Sequence, residues 1–121
     1  MNVKQPLKVG FAGYGVVGKR RREIVDRRDD MRAAAVSDVT LGGDGKFDDG
    51  TRYYADFRRL ADEDLDVLFV CLPNDIAPEA TIMGLESGFH VFCEKPPGRD
   101  LADVARVMAC ESRHPGCKLK Y

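Results

Sequence analysis

The sequence predicts an α/β domain built on a doubly wound parallel sheet. Two observations carry this. Short apolar segments of strand length alternate with segments of helix length along the chain, the order of a parallel sheet with helical crossovers. At the first junction, Leu7-Lys8-Val9-Gly10-Phe11-Ala12 runs directly into Gly13-Tyr14-Gly15-Val16-Val17-Gly18, and an acid, Asp38, lies twenty positions beyond the last glycine. A strand, a Gly-x-Gly-x-x-Gly turn, a helix and then an acid at that distance mark a dinucleotide-binding βαβ unit of Rossmann type. The bland alternative is an ordinary glycine-rich turn, and the three context matches weigh against it.

The elements follow in order. Leu7 to Ala12 is apolar enough to be a strand buried on both faces. Val16 to about Arg28 reads as a helix whose apolar face is Val17, Ile24 and Val25. The run Lys19-Arg20-Arg21-Arg22 reads first as a solvated helix face, with added electrostatic attraction for an anionic cofactor as the sharper alternative. Arg32 to Ser37 is the second strand, with Asp38 at its carboxyl end. Gly42-Gly43-Asp44-Gly45 and Asp48-Asp49-Gly50 are turns. Thr51 to Tyr54 forms a short strand and Asp56 to Ala61 a helical turn or two. Asp66 to Leu72 is the clearest buried strand and ends in Pro73-Asn74-Asp75. Pro78 opens a helix that runs to Ser87 and stops at Gly88. Phe89 to Cys93 is the next strand, followed by Glu94-Lys95-Pro96-Pro97. Asp100 caps a helix whose apolar positions are Leu101, Val104, Ala105 and Met108. His114-Pro115-Gly116 turns the chain into a last strand from Cys117 to Tyr121, which reads as cut within the strand.

Bulk properties narrow the function. A chain of 121 residues, 44% hydrophobic and 32% charged, suits one globular domain. A net charge of −1 argues against general nucleic-acid binding. No apolar run approaches the roughly 20 residues that span a bilayer, and the N-terminus has no signal-peptide pattern. The expectation is a cytoplasmic protein with no membrane partner. Cys71, Cys93, Cys110 and Cys117 form no Cys-x-x-Cys pair, so no metal site is expected and reduced thiols are. His90 and His114 read as structural or exposed.

Each residue of the glycine turn has its own task. Gly13 allows the sharp turn, Gly15 lets the backbone approach a pyrophosphate, and Gly18 lets the helix pack closely. The helix start, at Val16 and Val17, presents unpaired N–H groups to phosphate. Asp38 is placed to accept hydrogen bonds from ribose hydroxyls and to repel a 2′-phosphate. It therefore favours NAD, with NADP the weaker candidate. In a doubly wound sheet ligands lie outside the carboxyl ends of the strands, where the glycine turn, Asp38, Leu72-Pro73-Asn74 and Glu94-Lys95-Pro96 would meet.

The glycine fingerprint, Asp38, Leu72-Pro73-Asn74 and Glu94-Lys95-Pro96 together resemble the N-terminal domain of the Gfo/Idh/MocA oxidoreductases, the glucose–fructose oxidoreductase and inositol dehydrogenase family. The resemblance runs from about Lys8 to Tyr121. It implies an NAD(P)-dependent oxidoreductase that moves hydride between the nicotinamide and a carbinol or carbonyl of a sugar, cyclitol or sugar derivative. By the same resemblance Lys95 is the catalytic residue, Glu94 contacts the nicotinamide ribose, and Pro73 and Asn74 line the cofactor cleft. A histidine that the family often carries three positions after the asparagine is Ala77 here. The family's substrate domain follows this one, so the chain reads as a truncated cofactor-binding half that is inactive alone. A homo-oligomer is expected, with edge-to-edge dimerisation as one route. The rival reading is a non-catalytic nucleotide sensor or assembly module on the same fold.

Overall fold

The structure, a computed structural model, describes residues 5–121. In chain order the strands and helices are β1 (Leu7–Ala12), α1 (Val16–Asp26), β2 (Met31–Ser37), β3 (Gly45–Lys46), β4 (Arg52–Tyr54), β5 (Val67–Val70), α2 (Ala77–Glu86), β6 (His90–Cys93), α3 (Leu101–Arg113) and β7 (Leu119–Lys120). Two 3₁₀ turns, Val39–Leu41 and Phe57–Asp62, fill the crossovers after β2 and β4. Among the described residues no helix is long and apolar enough to cross a membrane.

The strands form one sheet in the order β3-β4-β2-β1-β5-β6-β7. Every pairing is parallel except that of β3 with β4. That antiparallel edge was not foreseen. The glycine and aspartate turns around Phe47 fold back into a hairpin, with Phe47 N–H donating to Thr51 O at 2.8 Å. The parallel order reverses direction at β1, so the doubly wound expectation holds, and the crevice lies where β1 and β5 part.

Two cores sandwich the sheet. On one face Val25 of α1 packs with Val9, Phe11 and Val36. On the other, Ala77, Ala80 and Leu85 of α2, Cys110 of α3 and Leu60 pack on Ala12, Ala35, Leu68, Val70, Val91 and Cys93. Alternate residues of β5 and β6 serve the two faces, as the period of a strand requires.

The helix faces differ from the periodic reading. In α1 only Gly18 and Val25 are buried, while Val17 and Ile24 are 43% and 46% exposed. The rotation of α1 is set by Gly18, where an added Cβ would overlap the Gly13 carbonyl oxygen. In α3 the inward residues are Asp103, Val107 and Cys110, and Leu101 and Met108 face solvent at 86% and 58% exposure. Here a polar contact outranks the apolar stripe. Asp103 Oδ2 accepts from Arg99 N–H at 2.9 Å, and Asp103 N–H donates to Asp100 Oδ1 at 3.0 Å. The acid turns inward to hold the loop before its own helix.

The basic run is not simply a solvated face either. The Arg22 side chain is only 12% exposed. Its guanidinium donates to Tyr14 Oη at 3.1 Å, to Asp49 Oδ2 and to Thr51 Oγ1 at 3.0 Å. Arg22 therefore fastens the glycine turn to the β3–β4 hairpin.

All four cysteines are free. Burial pushes the Cys71 thiol up to about 12, so it carries no thiolate character at neutral pH. His90 Nδ1 accepts from Lys118 N–H at 2.9 Å, and His114 Nδ1 meets Cys110 O at 2.8 Å. No group of His, Cys, Asp or Glu among the described residues is placed to hold a metal ion.

Candidate functional site

Four strand ends converge on one edge of the sheet. The glycine turn leaves β1 between its neighbours: Gly13 N–H donates to Ser37 O at 3.0 Å, and Cys71 N–H to Ala12 O at 2.7 Å. Glu94 N–H donates to Val70 O at 2.9 Å, so the ladder places Glu94-Lys95-Pro96 beside the end of β5. All four predicted segments thus sit on the carboxyl edge of neighbouring strands.

Within the turn the glycines separate by cause. Gly13 has φ +99°, and an added Cβ would overlap Cys71 O. Gly18 must let the helix meet the Gly13 carbonyl. Gly15 differs, because a Cβ there would meet nothing within 4 Å. Packing within the fold therefore does not require glycine at 15. Gly15 is also the N-cap of α1 and supplies no side-chain cap, and the first turn holds no acid. The free N–H groups and the positive end of the helix are left for an anion. At this helix start Val16 is largely exposed and Val17 partly so. The Tyr14 main-chain N–H is already engaged by Asp38 Oδ2. Its ring packs 6.2 Å from that of Phe47, on the α1 side of the sheet.

Asp38 is tied on both oxygens. Oδ1 accepts from Thr40 N–H at 3.0 Å and Thr40 Oγ1 at 2.8 Å; Oδ2 accepts from Tyr14 N–H at 2.8 Å. Burial raises its pKa, but the bonds from Thr40 and Tyr14, with Lys19 nearby, outweigh it and hold the carboxyl below the usual range. It stays ionised at neutral pH.

Beside Asp38 lies a cavity of about 430 Å³ that is lined by Val39, Ala55, Phe57, Leu72 and Ile76, with Asp56, Arg58 and Glu79 at its margin. Its size and apolar walls suit a planar heteroaromatic ring. The sequence reading named Leu72 but missed Val39, Phe57 and Ile76. The sequence carries one signal for this wall: an apolar residue, Val39, directly follows the acid. Pro73 O accepts from Ile76 N–H at 3.0 Å and Ala77 N–H at 2.9 Å, which fixes the turn into α2. Pro73 and Asn74 are exposed above it.

At the far end Glu94 is held by an ion pair with Arg21, whose guanidinium lies 5.3 Å from the centre of the Phe92 ring. The Glu94 side chain is 21% exposed. Lys95 is exposed, and among the described residues its ammonium has no hydrogen bond or ion pair. The Lys95–Pro96 peptide is cis.

A glycine turn at an uncapped helix start, an ionised acid at the end of β2, an apolar cavity beside that acid and an exposed lysine after β6 lie along the carboxyl edge of a doubly wound sheet, the architecture of a Rossmann domain. The chain belongs to the oxidoreductase family with an NAD-binding Rossmann fold, Gfo/Idh/MocA, whose pattern matches residues 7–119. It is 33% identical to the D-glucoside 3-dehydrogenase of Escherichia coli over 90% of this chain and 35% of that one. It is 29% identical to the myo-inositol 2-dehydrogenase of Thermotoga maritima over 84% of this chain and 32% of that one. Among solved structures, the myo-inositol 2-dehydrogenase of Lactobacillus plantarum superposes with a TM-score of 0.82 at 25% identity, over 96% of this chain and 36% of that chain. The scyllo-inositol dehydrogenase of Lactobacillus casei, solved with NAD(H) and scyllo-inositol, shares the fold at a TM-score of 0.82 and 22% identity. The chain spans about a third of the length of these relatives.

Proposed function

We propose that the crevice binds NAD and serves a dehydrogenase acting on a sugar or cyclitol. The observation that carries this is Gly15, a glycine the fold does not need, at the uncapped start of α1. Main-chain N–H groups from Gly15 to Gly18 would hold the pyrophosphate. Asp38 would accept from the adenosine ribose, and Val39, Leu72 and Ile76 would flank the adenine. Leu72, Pro73 and Asn74 would border the cleft. Glu94 would face the nicotinamide ribose from its pairing with Arg21, an anchor that the sequence did not show.

Bound there, the nicotinamide would exchange a hydride with a carbinol or carbonyl carbon of the substrate. Lys95 is the catalytic candidate, because its exposed ammonium is not engaged by any of the described residues and can polarise or hydrogen-bond a reacting oxygen. The sugar or cyclitol class rests on the named activities of the relatives. NAD over NADP rests on the ionised Asp38, which repels a 2′-phosphate.

Calorimetric titration with NADH and NADPH tests the reading. Saturable binding with NADH the tighter ligand supports it. No binding of either dinucleotide overturns it for this chain.

A further inference from the structure

Asp38 leaves little of itself for a ligand. A carboxylate has about four acceptor positions. Thr40 fills two on Oδ1, through its N–H at 3.0 Å and its hydroxyl at 2.8 Å, and Tyr14 N–H fills one on Oδ2 at 2.8 Å. One position on Oδ2 stays open. A ribose presents two adjacent hydroxyls, so this carboxylate can serve one of them fully and not both. Its discrimination between the two dinucleotides must then rest on where its charge sits.

Thr40 determines that. Asp38 is the N-cap of the Val39–Leu41 turn, and Thr40 supplies both contacts on Oδ1. Two main-chain donors, Thr40 N–H on Oδ1 and Tyr14 N–H on Oδ2, hold the carboxylate whatever side chain stands at position 40, and the Thr40 hydroxyl adds the third bond that narrows its orientation. Thr40 is exposed and contributes no core contact. Resting on the NAD reading above, we propose that Thr40 is a specificity-determining positioning residue: it clamps the Asp38 carboxylate so that the crevice selects NAD over NADP by fixed charge, with a single ribose hydrogen bond.

The sequence carries this as Asp-x-Thr. Aspartate or serine and threonine two residues apart is ordinary turn chemistry, and here the turn's own bonds also orient the acid that faces the ligand. The surrounding charge is consistent. Lys19 lies near Asp38 and over the Tyr14 ring at 5.7 Å. A carboxylate held by its main-chain bonds alone has more freedom to lean toward that ammonium, and the crevice would then lose part of its barrier to a 2′-phosphate.

The test is the ratio of NADPH to NADH dissociation constants, measured by calorimetry on the wild-type chain and on T40V, T40S and D38N. The ratio should fall by about threefold in T40V, which loses the hydroxyl bond alone and keeps both main-chain bonds to Asp38. It should stay at the wild-type value in T40S, which keeps the hydroxyl, and approach unity in D38N. T40A repeats the T40V measurement with a smaller side chain and guards against a packing artefact. An unchanged ratio in both T40V and T40A, with NADH still bound, overturns the clamp and leaves the NAD reading standing. A wild-type chain that binds neither dinucleotide overturns the NAD reading and the clamp with it. A D38N variant that keeps the wild-type ratio overturns selection by charge.

Discussion

Gly15 and Gly18 look alike in the motif and differ in what the molecule asks of them. Gly18→Ala places a methyl group onto the Gly13 carbonyl oxygen. Overpacking against backbone should cost about 1–3 kcal/mol of stability, read from denaturant unfolding. Gly15→Ala meets no neighbour. Its stability should move by less than about 1 kcal/mol, the range of an N-cap change, while NADH affinity falls at least about tenfold if the added methyl costs one phosphate contact. The reverse pattern would mean that the two glycines have been assigned the wrong roles. Sequence spacing was enough to find Gly13, Gly15, Gly18 and Asp38, because each lies in one local motif. The Tyr14 bond to Asp38 was not legible. It joins positions 24 apart, and no periodicity reports a contact made only once β1 and β2 pair.

Among the elements, the helices show where reading by period fails. Strand-length apolar runs fixed β1, β2, β5 and β6 to within a few residues, since both faces of those strands are covered. In α1 and α3 the inward face is set by Gly18, Arg22 and Asp103, residues that hydropathy counts as neutral or outward. The Asp103 carboxyl is held far below the usual range, first by the Arg99 guanidinium and then by Arg99 N–H. Glu63 is also depressed, chiefly by Arg52. Carboxyls depressed on folding stabilise the native state above their unfolded values, about 3.9 for Asp and 4.3 for Glu, and that contribution is lost as pH falls toward the folded values. The melting temperature should therefore stay level from pH 7 to about 5 and decline below about 4. Asp103→Asn should melt lower at pH 7 and show a shallower acid decline. A variant as acid-sensitive as wild type would remove Asp103 from that account. Arg22→Lys should be destabilising although the charge is kept, because an ammonium cannot reach Tyr14, Asp49 and Thr51 together; thermal unfolding of the variant checks this.

For the whole molecule, the alternation of segments was sufficient to predict a doubly wound parallel sheet, and the β3–β4 hairpin was the part it missed. Turn residues alone do not say whether a chain reverses into a ladder or wanders, and only the pairing of Gly45 with Tyr53 and of Lys46 with Arg52 decides it. A ligand that binds the folded chain alone stabilises it by mass action, about 2.7 kcal/mol at a hundredfold excess over its dissociation constant. For a domain of this size that is a rise of about 10 °C in melting temperature with NADH. An unmoved melting curve at that concentration would count against the crevice as a dinucleotide site. Tyr14 is held at both ends, its N–H by Asp38 and its hydroxyl by Arg22, so the glycine turn has its shape before any ligand arrives. Association then needs no slow rearrangement of the turn. In stopped flow the observed rate should climb in proportion to dinucleotide concentration without levelling off, and cutting the tether with Tyr14→Phe should introduce the plateau of a turn that must first find its form.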